Sequence, residues 1–209
     1  MTRTSALRAV LFDLDGVLVD SYEVWFHLLN QAARAFAAPA ISREQFAACW
    51  GQGIAADVER FFPSRSVPEV EAYYHAHFMQ QATHLRVDPA AAEVVRALRG
   101  RGLAQALVTN TPGPLAGEIV AFAGIALDAI VGGTDVPRGK PAPDMVLEAC
   151  RRLRVEPAAA LVVGDSSYDR EAAAGAQVPF VGLRLDGDRR IEALAELPAL
   201  LEPALAPRY

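Results

Sequence analysis

Short apolar runs alternate with longer amphipathic stretches over most of the chain after residue 86. Residues 9–12 form an earlier apolar run of the same kind. The stretches between the later runs have helical periodicity and cover residues 89–102, 114–125, 141–155 and 168–177. The runs themselves are compact and rich in Val and Leu, as expected of strands buried on both faces, and are LAQALVT (103–109), DAIVGG (128–133), ALVVGD (160–165) and PFVGL (179–183). This alternation predicts an α/β fold with a doubly wound parallel sheet.

Residues 19–85 break the alternation, because their apolar positions are spaced as in helices and no strand pattern is convincing. We therefore predict a small α-helical domain at 19–85, inserted into an α/β core formed by residues 1–18 and 86–209. Asp20 and Ser21 precede YEVWFHLL; a functional role is open for them, but the pattern favours a helix N-cap. The aromatic residues of the insert, Trp25 among them, are expected in its core. The C-terminal IEALAELPALLEP (191–203) predicts an amphipathic helix.

Composition narrows the function classes. The chain has 209 residues, 52% of them hydrophobic, which is enough for one large domain or two small ones. A net charge of -5 gives no basic face for nucleic acid. The apolar runs are too short to span a membrane, and no signal-peptide pattern is apparent. The two cysteines, Cys49 and Cys150, do not have metal-site spacing, and nothing supports a disulfide between them. We expect a cytoplasmic monomer or homodimer with no nucleic-acid or membrane partner.

Polar residues follow the predicted strands where each strand ends. In an open sheet of this Rossmann-like type, ligands bind beyond the carboxyl ends of the strands, near the point where the strand order reverses. Two positions 152 residues apart, Asp13 and Asp165, are therefore expected to meet. The other polar residues expected at this edge are Asp15, Thr109, Asn110, Lys140, Ser166 and Asp169.

Carboxylates that converge in one cleft repel each other unless a cation lies among them. A small group of hard oxygen ligands suits Mg²⁺, which often binds a few carboxylates together with a phosphate oxygen. A lysine and a hydroxyl directed at the same point would complete a cradle for a phosphoryl group. An ionised Asp can act as a covalent nucleophile, and a second carboxyl two residues later can serve as its acid/base partner. The pair Asp13 and Asp15 fits these two roles.

Four segments resemble, in order and spacing, the motifs of the haloacid dehalogenase superfamily in its phosphatase branch. They are DLDGV (13–17), LVTNT (107–111), GKPAPD (139–144) and VVGDSSYD (162–169). The dehalogenases themselves lack a second acidic residue at the position of Asp15. The resemblance, which covers nearly the whole chain, therefore indicates a phosphatase rather than a dehalogenase.

The resemblance implies a role for each residue of these motifs. Asp13 would be the nucleophile that becomes an aspartyl-phosphate, and Asp15 the general acid/base. Mg²⁺ would be held by Asp13, Asp165 and the backbone carbonyl of Asp15. Thr109 and the Asn110 amide would bind phosphoryl oxygens, while Lys140 balances the charge. Ser166 and Asp169 would orient the water shell of the metal or Lys140, although Asp169 is equally typical of a cap for the helix that follows it.

The segment WGQGIAADVERF (50–61) resembles the cap-domain segment of phosphoglycolate phosphatase-like members. That likeness places Gly51, Gln52 and Gly53 near the entrance of the site, as substrate-binding residues. Two positions depart from the subgroup: Thr111 stands where many members have Lys, and Gln177 replaces a usual Gly. The implied function is Mg²⁺-dependent hydrolysis of a small phosphorylated metabolite.

Two alternatives are open at this point. A β-phosphoglucomutase-like enzyme would carry an Arg in the cap loop, and Ile54 and Ala55 occupy the corresponding positions. A catalytically silent phosphate- or partner-binding member of the fold would be expected to lack Asp13, Asp15, Lys140 or Asp165. All four residues are present, which favours an enzyme.

Overall fold

A parallel sheet of six strands forms the centre of the protein, and the computed structural model describes residues 6–205. In chain order the strands are β1 (Ala9–Phe12), β2 (Val19–Asp20), β3 (Arg86–Val87), β4 (Ala104–Thr109), β5 (Ala129–Gly132), β6 (Ala160–Gly164), β7 (Phe180–Leu183) and β8 (Arg189–Ile191). The large sheet has the order β5–β4–β1–β6–β7–β8, and β2 and β3 form a separate antiparallel pair. The strand order therefore reverses at β1, which lies between β4 and β6.

Helices cover both faces of this sheet. In chain order the helices are α1 (Tyr22–Ala35), α2 (Arg43–Ala47), α3 (Ile54–Phe61), α4 (Val67–His77), α5 (Ala91–Gly100), α6 (Gly113–Phe122), α7 (Asp144–Leu153), α8 (Ser167–Gly175) and α9 (Leu197–Leu205). Of these, α5 to α8 pack against the large sheet. Val10 and Phe12 of β1 pack in the same cluster as α5 and α6, whereas Ala9 and Leu11 pack in the cluster that contains α7 and α8. Successive strand residues thus point to opposite, fully buried faces. The predicted doubly wound α/β fold is confirmed.

The helices α1 to α4 lie between the paired strands β2 and β3. The chain leaves the large sheet through β2, forms the four helices and a 3₁₀ segment at 78–84, and returns through β3. The expectation of no strand in 19–85 is wrong at Val19–Asp20, because this short pair ties together the two ends of the helical segment. The ring of Trp25 packs 5.4 Å from that of Tyr74 and 5.1 Å from that of Phe78. These aromatic contacts hold α1 against α4.

The C-terminal region differs from the predicted continuous helix at 191–203. Ile191 ends β8, an edge strand in which Arg189 and Arg190 are exposed while Ile191 is buried. A 3₁₀ turn at 194–196 follows, and the α-helix begins only at Leu197. The apolar spacing of this region suits a helix, but Ile191, its first residue, pairs with Leu183 of β7 and is therefore part of a strand.

The structure also bears on the expectations about membrane helices and about the two cysteines. Within 6–205, none of the helices combines the length and the apolar character needed to cross a membrane. Cys49 and Cys150 are both buried and free, so they do not form a disulfide.

Candidate active site

The carboxyl ends of β1, β4 and β6 lie side by side and carry the polar residues expected there. Asp13 follows β1, Thr109 ends β4 and Asp165 follows β6. Lys140 lies on the segment between β5 and α7 and reaches the same point. Because β1 is paired in register with both neighbours, its end is level with theirs. The strand pairing therefore brings these four side chains to one edge of the sheet.

Lys140 is the centre of this group. Its Nζ donates to Asp13 Oδ1 at 2.7 Å, to Asp169 Oδ1 at 2.6 Å and to the carbonyl of Val108 at 3.1 Å. The side chain of Lys140 is only 3% exposed. Burial by itself lowers the pKa of Lys140, but the two carboxylates more than offset this effect and raise its pKa above the ordinary value. The ammonium is therefore held as a cation, with all three of its donors used.

Asn110 fixes the backbone of Lys140. The Asn110 side-chain oxygen accepts from Lys140 N at 2.9 Å, and its nitrogen donates to the Lys140 carbonyl at 3.1 Å. The same nitrogen donates to the carbonyl of Gly51 at 2.8 Å. The side-chain amide is thus occupied by backbone partners, so a contact between Asn110 and a ligand would use its backbone N–H.

Three carboxylates lie close enough to share a cation. One oxygen each from Asp13, Asp165 and Asp169 lies within 4.8 Å of the others. Burial, followed by the charge of Asp169, raises the pKa of Asp13 well above its ordinary value, and the same causes raise the pKa of Asp165 to about 6. Three carboxylates and one ammonium leave an excess of two negative charges. A divalent cation with oxygen ligands would balance this excess, so the residues fit Mg²⁺.

Asp15 lies in a different environment from Asp13. It accepts hydrogen bonds from Trp25 Nε1 at 3.2 Å, from Thr111 Oγ1 at 3.0 Å and from Ser21 Oγ. The interpretation of Ser21 as a capping side chain is wrong: it occupies the N-cap position of α1, but its hydroxyl makes no cap bond. Trp25, expected only in the core of the insert, also reaches the site. The three donors fix the Asp15 carboxylate from two sides.

Asp169 makes two kinds of contact, one with the cap of α8 and one with Lys140. Its Oδ2 accepts from Ser166 N at 3.1 Å, and its own N–H donates to Ser166 Oγ at 3.3 Å, which together form a capping box for α8. Its other oxygen binds Lys140. A Cβ on Gly164 would collide with the Asp169 side chain, so glycine is required there.

Gly16 is the second glycine that the site needs. Its φ of +82° lies in the left-handed region, and a Cβ at this position would collide with the carboxylate of Asp165. The turn after β1 therefore passes directly beside the residue that follows β6.

Residues 50–52 line the cavity that contains the carboxylates. Gly51 and Gln52 line the same cavity as Asp13 and Asp15, as expected for residues at the site entrance. Gly53 does not belong to the described wall of this cavity; it forms the N-cap of α3. Gln52 does not point freely into the cavity, because its Nε2 donates to Asp57 Oδ1 at 2.7 Å.

Asp57 is the functional candidate that the sequence reasoning missed. It lines the cavity at 7% exposure, and burial raises the pKa of its carboxyl to about 6. The available signal was its spacing: Asp57 follows Ile54 by three residues and shares the buried face of a short helix. A charged residue within an apolar helical stripe is unusual and indicates a partner or a ligand.

A family model and two curated relatives match most of this chain. The family model for haloacid dehalogenase-like hydrolases matches residues 10–183. A plasmid-encoded phosphoglycolate phosphatase of Cupriavidus necator is 33% identical, over 95% of this chain and 95% of that protein. The phosphoglycolate phosphatase of Escherichia coli K12 is 30% identical, over 88% of this chain and 83% of the relative.

A solved structure shows the same fold. The crystal structure of a subfamily IA hydrolase of the same superfamily from Geobacter sulfurreducens superposes with a TM-score of 0.77 at 25% identity, and covers 94% of this chain and 100% of that one. The chain belongs to the haloacid dehalogenase-like hydrolase family, among its phosphoglycolate phosphatase-like members.

Proposed function

We propose that the protein is a Mg²⁺-dependent phosphatase that hydrolyses a small phosphomonoester through a covalent intermediate on Asp13. The observation that carries the proposal is the contact of Lys140 Nζ with both Asp13 and Asp169. The carboxylate of Asp165 lies beside them and makes no contact with this lysine. A buried carboxylate that is oriented by a lysine and adjoins a cation site is suited to attack an electrophilic phosphorus. The phosphoglycolate phosphatases among the relatives support a phosphomonoester as the substrate class.

Asp13 and Asp15 divide the reaction between them in this proposal. A carboxylate oxygen of Asp13 forms a bond to phosphorus while the bond from phosphorus to the alcohol oxygen breaks. The Asp15 carboxyl gives its proton to that departing oxygen. Water then attacks the phosphorus of the aspartyl-phosphate, Asp15 takes the proton from this water, and the acyl–phosphate bond breaks to release inorganic phosphate and restore Asp13.

The remaining residues bind and balance charge. Thr109, the Asn110 backbone N–H and Lys140 would hold the phosphoryl oxygens. Asp13, Asp165 and the backbone carbonyl of Asp15 would hold Mg²⁺, which when bound would neutralise charge on the phosphoryl group. Ser166 would act through its capping box with Asp169, which in turn orients Lys140.

Residues 19–85 would serve as a cap over this chemistry. The hydrogen bond from Asn110 Nδ2 to the Gly51 carbonyl joins the helical segment directly to the end of β4. A Cβ on Gly51 would lie 3.3 Å from the ring of Tyr168, so this loop also packs against α8. Closure of this kind excludes water from the covalent intermediate until the alcohol has left.

A phosphosugar mutase is the less favoured alternative. Such an enzyme must hold two phosphate groups, and a second phosphate calls for a second cationic site. Within residues 6–205, the cavity wall contains one basic side chain, Lys140, which is already bound to two carboxylates. Ile54 lies in the wall of the cavity, at a position where a β-phosphoglucomutase-like enzyme would be expected to carry an Arg.

The test is phosphate release from a panel of small phosphomonoesters, phosphoglycolate included. Each ester is assayed with Mg²⁺ and with EDTA, beside the Asp13→Asn variant. We expect release that requires Mg²⁺ and is lost in Asp13→Asn. Normal turnover by Asp13→Asn protein, or Mg²⁺-independent release by the unaltered protein, would contradict the proposal.

A further inference from the structure

The candidate site opens into a cavity that Asp57 also lines. Its polar end contains Asp13, Asp15 and Asp165. The walls that lead away from this end are aliphatic and aromatic, and include Trp25, Leu29, Phe46, Trp50 and Ile54. If the phosphoryl group lies at the polar end, the alcohol part of the substrate must extend along these walls. The cavity beyond Asp15 is therefore the place where the leaving group is selected.

The charge of this wall is negative. Four carboxylates line the cavity, those of Asp13, Asp15, Asp57 and Asp165, and in the described part of the chain Lys140 is its one basic residue. In the proposed phosphatase, Lys140 and Mg²⁺ would balance Asp13 and Asp165, and Asp15 carries the proton for the leaving oxygen. The negative charge that faces the leaving group is therefore that of Asp57. Three nearby arginines lie outside this wall: Arg43 forms an ion pair with Glu23, and Arg86 and Arg184 line a separate, adjoining cavity. A leaving group with a carboxylate or a second phosphate would meet repulsion here, without a cation to receive it.

Asp57 has neutral partners only. Its Oδ1 accepts from Gln52 Nε2 at 2.7 Å and its Oδ2 from the hydroxyl of Tyr74 at 3.1 Å. Both of these partners are uncharged, and burial is the main influence on its pKa, which it raises. A carboxylate oxygen accepts more than one hydrogen bond, so Asp57 can receive a further donor from the cavity. A buried carboxylate without a cation is costly, and a donor or a positive charge on the ligand would reduce that cost.

We propose that the cavity selects a leaving group that carries no negative charge and that presents a hydroxyl or ammonium donor to Asp57. The substrate class is the phosphoric ester of a polyol or an amino alcohol, whose carbon chain lies against the aromatic wall. An ammonium group there would also gain cation–π contact with Trp25 or Trp50. This inference rests on the proposed phosphatase function, and it separates the chain from relatives named for phosphoglycolate, whose leaving group bears a carboxylate.

The test uses two matched series of alkyl phosphates, one with two carbons and one with four. In each series the end opposite the phosphate is a methyl, hydroxyl, ammonium or carboxylate group. Values of kcat/KM are measured for the unaltered protein, for Asp57→Asn and for Glu59→Gln. Glu59 is an exposed acidic residue on the same helix and serves as the matched control.

We expect the hydroxyl or ammonium ester of at least one series to exceed both the methyl and the carboxylate ester by about tenfold, the size of one charge-assisted hydrogen bond. In Asp57→Asn, kcat/KM for the ammonium ester should no longer exceed that for the methyl ester. The difference in kcat/KM between the methyl and the carboxylate ester should become smaller. Circular dichroism and the urea midpoint at pH 7.5 establish separately that the variant is folded. Glu59→Gln should behave as the unaltered protein.

The outcomes separate this inference from the proposed function. If the unaltered protein prefers a carboxylate ester in both series, the inference is overturned while the phosphatase function stands. The inference is also overturned, and the phosphatase function again stands, if Asp57→Asn prefers the same esters to the same extent as the unaltered protein. If the unaltered protein releases phosphate from none of the esters and from no member of the wider panel, the proposed function fails first. Because the preference of the unaltered protein is itself decisive, a poorly folded variant does not leave the inference untested.

Discussion

The indole nitrogen of Trp25 donates a hydrogen bond of 3.2 Å to Asp15 Oδ1, and so joins the helical segment to the carboxylate proposed as the acid/base. The same ring packs edge-on against Tyr74, whose hydroxyl donates to Asp57. Trp25 therefore contacts Asp15 directly and is connected through Tyr74 to Asp57, which lines the same cavity. A change at Trp25 should affect the reaction even though the residue is neither a nucleophile nor a proton carrier.

We expect Trp25→Phe to lower kcat by about three- to tenfold for alkyl phosphates, which corresponds to the loss of one hydrogen bond. The effect should be smaller for p-nitrophenyl phosphate, because a nitrophenolate leaves without a proton from Asp15. The measurement is kcat for both esters. Equal losses for the two esters would indicate that the indole contributes packing alone.

Asp15→Asn tests the acid/base role more directly. We expect kcat for alkyl phosphates to fall by about 10²- to 10⁴-fold, the usual contribution of a general acid. Formation of the phospho-enzyme from p-nitrophenyl phosphate should persist, while its hydrolysis slows, so that phosphorylated Asp13 accumulates. Rapid-quench analysis of the protein-bound phosphate measures this accumulation. An unchanged hydrolysis rate would place the base elsewhere.

Lys140→Met should destabilise the fold, because it leaves the carboxylates of Asp13 and Asp169 buried without their cation. The expected loss is about 3–5 kcal/mol in the free energy of unfolding at pH 7. Urea denaturation in EDTA measures it. The control is Arg138→Met, which breaks the exposed ion pair with Asp144 and should cost far less. Addition of Asp169→Asn to the Lys140→Met variant should recover part of the loss.

Asp57 makes stability depend on pH. Its pKa in the folded protein, about 6, lies above the ordinary value of 3.8, so the folded state binds more protons than the unfolded state between these values. The contribution of this group to stability is therefore complete below about pH 4, falls as the pH rises to 6, and is constant above that. A shift of this size corresponds to about 3 kcal/mol.

The comparison is between the unaltered protein and Asp57→Asn, with urea denaturation at pH 4.5 and pH 7.5. Because other groups titrate in both proteins, the informative quantity is the difference in the free energy of unfolding between them. This difference should shift in favour of Asp57→Asn as the pH rises. Glu59→Gln, on the same helix, should show no such shift. A pH-independent difference would mean that Asp57 titrates in the ordinary range.

The sequence by itself was sufficient to predict the fold class. It was also sufficient to predict that Asp13, Lys140 and Asp165 lie together at one edge of the sheet. The physical reason is that a buried parallel strand has a recognisable apolar pattern and a fixed direction. Once β1, β4 and β6 are recognised as neighbours, the polar residues that follow them must lie at one edge. The direct contact of Lys140 with Asp169 agrees with one of the two roles that the sequence left open for Asp169.

Only the tertiary structure decided which side chains surround Asp15 and which residues of the helical segment line the cavity. Ser21 looked like a helix cap and Trp25 like core, because a local pattern records that a residue is polar or apolar but not which distant group it contacts. Asp57 joins the cavity only because α3 packs against α4 and places Tyr74 behind it. In the same way Ile191 became part of an edge strand because β7 offered an unpaired edge. Such contacts depend on how elements pack, and the spacing of residues along one element does not encode them.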